Sequence, residues 1–210
     1  MEVTPLELTT RRRVRAGDLF ELTKPRITFL VLITTLVGFY MGSRDGLNFV
    51  LLFHTILGTG LVASGASALN QYFERDLDAR MMRTRNRPLP DGRLVPSEAL
   101  LFSSVISAAG VIYLMLFVNV LTGLIGAATL TGYILVYTPL KTRTMLCTLI
   151  GAFPGAAPPV MGWTAARGDL DAVALALFAI LFLWQIVHFS DCTALVIDFA
   201  YAARYIAKRV

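Results

Sequence analysis

The chain has 210 residues, 56% of them hydrophobic and 16% charged, with a mean hydropathy of +0.65. Soluble domains are roughly 45–50% apolar and about 25% charged, so an ordinary soluble domain is excluded and an integral membrane protein is indicated. The formal net charge of +5 is segregated along the chain, which speaks of topology rather than of nucleic-acid binding.

Residues 1–19 read as a polar, basic cytoplasmic tail with little expected order. Residues 18–26 follow as a short amphipathic lead-in, with Pro25 suited to the first turn of a helix. Lys24 and Arg26 read as headgroup anchors, although either could touch an anionic substrate. Charge-free runs then occupy 27–43, 46–73, 99–140, 144–166 and 172–190. A spanning helix needs about 20 apolar residues, so 99–140 must hold two helices, with the turn near 119–123. The reading is an all-α polytopic bundle of six spans. Every basic residue except Arg44 and Arg167 falls on one side of these spans, which predicts a cytoplasmic N-terminus and C-terminus. A long basic head without a small-residue cleavage site argues that span 1 remains as an anchor.

Span 2 carries Gly58, Gly60, Ala63, Ser64, Gly65, Ala66, Ser67 and Ala68, small residues that let helices approach closely in lipid. His54 near its outer end reads as a hydrogen-bonded structural group. Between spans 2 and 3, Arg87-Pro88-Leu89-Pro90-Asp91-Gly92-Arg93 is turn chemistry that ends any helix. Span 5 contains Gly151, Pro154, Gly155, Pro158, Pro159 and Gly162, predicting a broken helix beside a cavity. Cys147 and Cys192 lack metal-site spacing and read as packing residues. Span 6 ends in Trp184-Gln185-Ile186-Val187-His188-Phe189, and the tail 190–210 reads as an interfacial helix without evident chemistry.

The densest chemistry lies where span 2 meets water, in Asn70-Gln71-Tyr72-Phe73-Glu74-Arg75-Asp76-Leu77-Asp78-Ala79-Arg80. At about 100° per residue, Asn70, Glu74 and Asp78 share one helix face and Asp76 points elsewhere. Three oxygen donors without thiolate or imidazole suit Mg²⁺. A straight helix separates Asn70 from Asp78 by about 12 Å, so one ion can be shared only by adjacent members. Arg80, Arg83, Arg85 and Arg87 follow at once, and guanidinium forks match phosphate oxygens. A diphosphate carried on a lipid chain satisfies both demands. The competing readings are a solvated helix cap with a positive-inside loop, a transporter or a lipid-binding scaffold.

This stretch, with Arg83-Thr84 and Arg87-Pro88-Leu89, closely resembles the first aspartate-rich motif of the UbiA superfamily of intramembrane prenyltransferases. Leu22-Thr23-Lys24-Pro25-Arg26, Tyr137-Thr138-Pro139-Leu140-Lys141 and residues 151–163 carry the resemblance further, and it is nearest to the protohaem IX farnesyltransferase family. Over 20–189 the resemblance implies a membrane prenyltransferase domain whose Asn70, Glu74 and Asp78 hold Mg²⁺ against the diphosphate of farnesyl diphosphate. It implies phosphate contacts from Arg83, Arg87 and Lys141, and a haem side near the span 5 bend and His188. The implied partners are farnesyl diphosphate, protohaem IX and membrane lipid, with a homo-oligomer compatible. A hydroxybenzoate or quinone-precursor acceptor and an inactive membrane fragment are the alternatives. The family also has about nine spans and a second acidic motif after span 6, which Ser190-Asp191-Cys192-Thr193-Ala194 and the residues after it do not reproduce. A truncated or frameshifted reading frame after about residue 189 is therefore expected.

Overall fold

Apolar composition forces the backbone to satisfy its own hydrogen bonds, and the chain answers with helices throughout. The computed structural model describes residues 16–44, 46–140 and 147–188. Helix α1 covers 16–22, followed by α2 (Pro25–Gly42), α3 (Phe49–Asp78), α4 (Pro96–Phe117), α5 (Val120–Leu140), α6 (Cys147–Arg167) and α7 (Ala172–His188). Among the described residues there is no strand. Residues 1–15 and 189–210, which hold most of the basic tail and all of the C-terminal one, lie outside them, as does Lys141.

Helices α2 to α7 coincide with the six expected spans. Of these, α2 to α5 are long and apolar enough to cross a membrane, and α7 is apolar over its 17 described residues. The chain is an integral membrane protein, and its surface shows it: Phe29, Leu30, Val105, Leu116, Leu135 and Leu183 are all largely exposed, as lipid-facing side chains must be. The turn between spans 3 and 4 falls at Val118, where the backbone leaves helical values. Asn119 caps α5 by accepting the Thr122 N–H at 2.8 Å, and its Nδ2 donates to the Thr164 carbonyl of α6 at 2.8 Å.

Close approach between helices depends on missing side chains. A Cβ on Gly38 of α2 would fall 2.0 Å from the Pro159 carbonyl oxygen, and one on Gly162 of α6 would fall 2.0 Å from the Thr35 carbonyl oxygen. These two reciprocal contacts lock α2 against α6. The small-residue stripe of α3 serves the same purpose against α4, with Gly65 facing Ser107. His54 accepts or donates at 2.6 Å to the Tyr113 hydroxyl and stacks on Phe117, the structural role expected of it.

Span 5 differs from expectation in one respect. Despite Pro154, Pro158 and Pro159, α6 is assigned as helix from Cys147 to Arg167. The prolines remove the helix donors of the Ile150, Pro154 and Gly155 carbonyls, which are half-buried, while the helix continues through the buried residues 156–165 beyond them. The expected cavity is present. An apolar groove of about 540 Å³ lies against α6, lined by Ile125, Gly132, Phe153, Ala157, Val160 and Phe178 among others.

Helix α3 sets the location of the motif. Its 30 residues span about 45 Å at 1.5 Å per residue, against a hydrocarbon core of about 30 Å. The last three turns, which carry Asn70 to Asp78, therefore stand beyond the apolar layer. There they are met by α1, by the 79–95 loop and by the end of α5, around a small core of Leu22, Ala68, Leu89, Leu94 and Ala99.

Candidate active site

The helix-phase argument is visible in burial. Asn70, Glu74 and Asp78 are 2%, 8% and 4% exposed, whereas the Asp76 side chain is 81% exposed and pairs with its neighbour Arg75. Buried carboxylates require partners, and the fold supplies them from distant sequence. Arg87 donates from Nη1 to Asp78 Oδ2 at 2.6 Å, and the Thr84 hydroxyl donates to the Asp78 carbonyl oxygen at 2.9 Å. The turn-forming 87–93 segment thus does more than end a helix: it returns an arginine onto the last acid of the motif. Asn70 accepts from Lys24 Nζ at 3.4 Å and donates from Nδ2 to Thr138 Oγ1 at 3.4 Å.

Two features of this arrangement were not read from the sequence. Lys24 belongs to the polar cluster and is not merely a headgroup anchor. Its backbone is left-handed, with φ 47° and ψ 64°, the one positive-φ non-glycine among the described residues. Such a conformation costs roughly 1–2 kcal/mol, and here it separates α1 from α2 while Lys24 Nζ reaches Asn70. The signal available was its place immediately before Pro25, where helical values are disfavoured. The second feature is the final part of α5. Gly132–Tyr137 is π-helical, and Thr138 donates its hydroxyl back to the Tyr133 carbonyl at 2.9 Å. This widened turn accompanies the contact of Thr138 with Asn70 and the stacking of Tyr133 on Tyr137, with Tyr133 within electrostatic reach of Glu74 and Arg87.

The other sequence-derived candidates fall differently. Arg83 is exposed on the loop and outside the Asp78 pair. His188 is exposed at the end of α7, stacked on Trp184 at a centroid distance of 4.9 Å; the alternation of helices puts it at the motif end of the bundle. Among the described residues no three His, Cys, Asp or Glu side chains form a metal-binding group; the cluster holds two acids and an amide. Two buried carboxylates and one amide oxygen on one helix face, with two cations beside them, are hard oxygen donors of the chemical kind that a divalent cation with phosphate ligands takes.

The model of the UbiA prenyltransferase family matches residues 31–204. This chain belongs to that family. The match runs past residue 189, where the sequence reading sees the resemblance stop. A protein of Solibacter usitatus (strain Ellin6076) named protoheme IX farnesyltransferase is 50% identical over 181 residues, covering 82% of this chain and 62% of the relative. One of the same name from Koribacter versatilis (strain Ellin345) is 48% identical over 175 residues, covering 82% and 56%. The chain thus spans about three-fifths of the length of the curated relatives it matches. Its fold is that of a solved structure from work on digeranylgeranylglyceryl phosphate synthase in membranes, with a TM-score of 0.72 and 18% identity over 81% of this chain and 60% of the other.

Proposed function

We propose that this member of the UbiA family takes part in transfer of a farnesyl group from farnesyl diphosphate to a vinyl group of protohaem IX, giving haem O. The observation that carries the reading is the buried Asn70, Glu74 and Asp78 face with Lys24 and Arg87 set against it. The names of the curated relatives support protohaem IX as the acceptor.

In this reading the allylic carbon to oxygen bond breaks and diphosphate leaves with the electron pair. The farnesyl carbon joins one vinyl carbon, and water adds hydroxyl to the other with loss of a proton. A Mg²⁺ ion held by adjacent members of this face, Glu74 with Asp78 or Glu74 with the Asn70 amide oxygen, would neutralise charge on the leaving diphosphate. The chain's own cations address the same charge. Arg87 offers a planar fork, one arm of which is already oriented by Asp78, and Lys24 offers a point charge beside Asn70. Arg83 and Lys141 are assigned to the outer phosphate oxygens, His188 to the haem side, and the motif end to the cytoplasmic face of the inner membrane. The lipid-exposed body of the bundle suits a substrate with a long apolar chain.

The test is incubation of membranes holding the chain with farnesyl diphosphate, haem and Mg²⁺, followed by mass spectrometry. Haem O should form in the wild type and fall by about 10²–10³-fold in Asp78→Asn. Failure of the wild type to form it, in membranes where the chain is present and folded, rejects the assignment.

A further inference from the structure

We propose that Arg93 is a positioning residue of the site: it straps α1 and the 79–95 loop together so that Arg87 is delivered to Asp78. The proposal rests on the diphosphate reading above, and adds to it a residue that touches none of the three motif donors.

The guanidinium of Arg93 is shared among four groups, two from α1 and two from the 79–95 loop. It pairs through Nη1 with Asp18 of α1 and through Nη2 with Glu21 at 3.5 Å. It donates from Nε to Asp91 at 2.9 Å and from Nη2 to the Asn86 carbonyl at 2.7 Å. Burial disfavours its charge, yet the hydrogen bond to Asp91 and the charges of Asp18, Glu21 and Asp91 together hold its pKa above the ordinary arginine value. Asn86 immediately precedes Arg87, so this one side chain grips the backbone beside the residue that meets Asp78. On the other side it grips α1, whose Leu22 carbonyl accepts from Gln71 Nε2 at 2.9 Å, one residue along α3 from Asn70. The two loop ends also close on themselves, with the Leu94 N–H donating to the Pro88 carbonyl at 3.1 Å.

Asp18 is why the strap is held shut. It is 2% exposed, its Oδ2 has no hydrogen-bond partner among the described residues, and its Oδ1 is paired by Arg93. Removing a partner from a buried charge is strongly unfavourable. Without Arg93, α1 must lift to hydrate Asp18, and the loop loses its anchor at Asn86. Arg87 would then reach Asp78 only as one conformation among many.

The experiment uses the full chain in lipid nanodiscs, with Mg²⁺ and inorganic pyrophosphate as the probe in calorimetric titration and amide hydrogen exchange as the structural readout. For Arg93→Met, pyrophosphate affinity should fall about tenfold, a loss of about 1.4 kcal/mol, and the amides of Thr84, Arg87 and Leu94 should exchange faster. Arg93→Lys keeps the charge without the fork, and should fall between wild type and Arg93→Met in both readouts; it also serves if Arg93→Met does not fold. Arg87→Met should lose affinity with the Thr84 and Leu94 amides still protected. Unchanged affinity in both Arg93 variants overturns the proposal, as does weakened affinity with the loop amides protected as in wild type. A wild type that does not bind pyrophosphate with Mg²⁺ defeats the diphosphate reading itself. The exchange data then decide the strap alone: faster loop exchange in Arg93→Met upholds it, and unchanged exchange rejects it.

Discussion

The two ends of the bundle use the same kinds of charged residue to different effect. At the far end, Arg167 sits over the Trp163 ring and pairs with Asp169 at 3.1 Å and Asp171 at 3.9 Å, partners two and four residues away. At the motif end, Asp78 is paired by Arg87 across a loop, and Asn70 is met by Lys24 and Thr138 from two other helices. The far cluster is local and its acids are partly exposed, so it orders a turn. The motif cluster is buried and assembled from distant sequence, which the fold must hold together against the cost of desolvation. Charge density at a membrane edge does not make a site. Burial with long-range partners is what sets the motif end apart as the candidate site.

The largest expected effect tests that distinction within a single helix turn. Asp78→Asn should reduce haem O formation by about 10²–10³-fold, the scale on which one electrostatic stabiliser acts. Asp76→Asn, exposed two residues earlier, should change it less than about threefold, as surface substitutions do. Equal losses in rates measured on membranes with matched protein content would remove the helix-face argument.

A smaller effect is expected at Lys24. Lys24→Met should lower kcat/KM for farnesyl diphosphate by about tenfold to a hundredfold, through loss of a charge-assisted contact. Lys24→Gly separates the two things this residue does. Glycine tolerates the left-handed backbone, so it should raise thermal stability by about 1 kcal/mol while losing activity as Lys24→Met does. If Lys24→Gly keeps full activity, Lys24 is a membrane anchor after all.

Much of this molecule is legible in its sequence, and the parts that are not share a cause. Charge-free runs locate α2 to α7, Asn119 marks the turn between α4 and α5, and helical phase separates Asn70, Glu74 and Asp78 from Asp76, because each depends only on residues near in sequence. The role of Lys24 could not be read, since a headgroup anchor and a site lysine have the same local signature and differ only in a left-handed turn. The Asp18 to Arg93 contact spans 75 residues and has no local trace. The π-helical turn of α5 is likewise invisible, as Gly132–Tyr137 contains no residue type that demands it. In α6 the prolines argued for a break, and the helix nevertheless runs through all three. Lys141 and the 190–210 tail lie outside the described residues.

The smallest effect returns to the far end, where the comparison predicts near-silence. Asp169 is half exposed and pairs with Arg167 in a geometry open to solvent, so Asp169→Ala should cost less than about 0.5 kcal/mol in thermal unfolding. Asp171 does more, because its Oδ1 accepts the Val173 and Ala174 N–H groups, each at 3.0 Å, at the start of α7. Loss of that cap costs about 1 kcal/mol, and both N–H donors would be left to find water at the membrane edge. Asp171→Ala should therefore destabilise more than Asp169→Ala, and neither should alter pyrophosphate affinity measured with Mg²⁺. A fall in that affinity from either variant would mean that the two ends are coupled through α6, and that the polar cluster at the end of α3 is not an independent site.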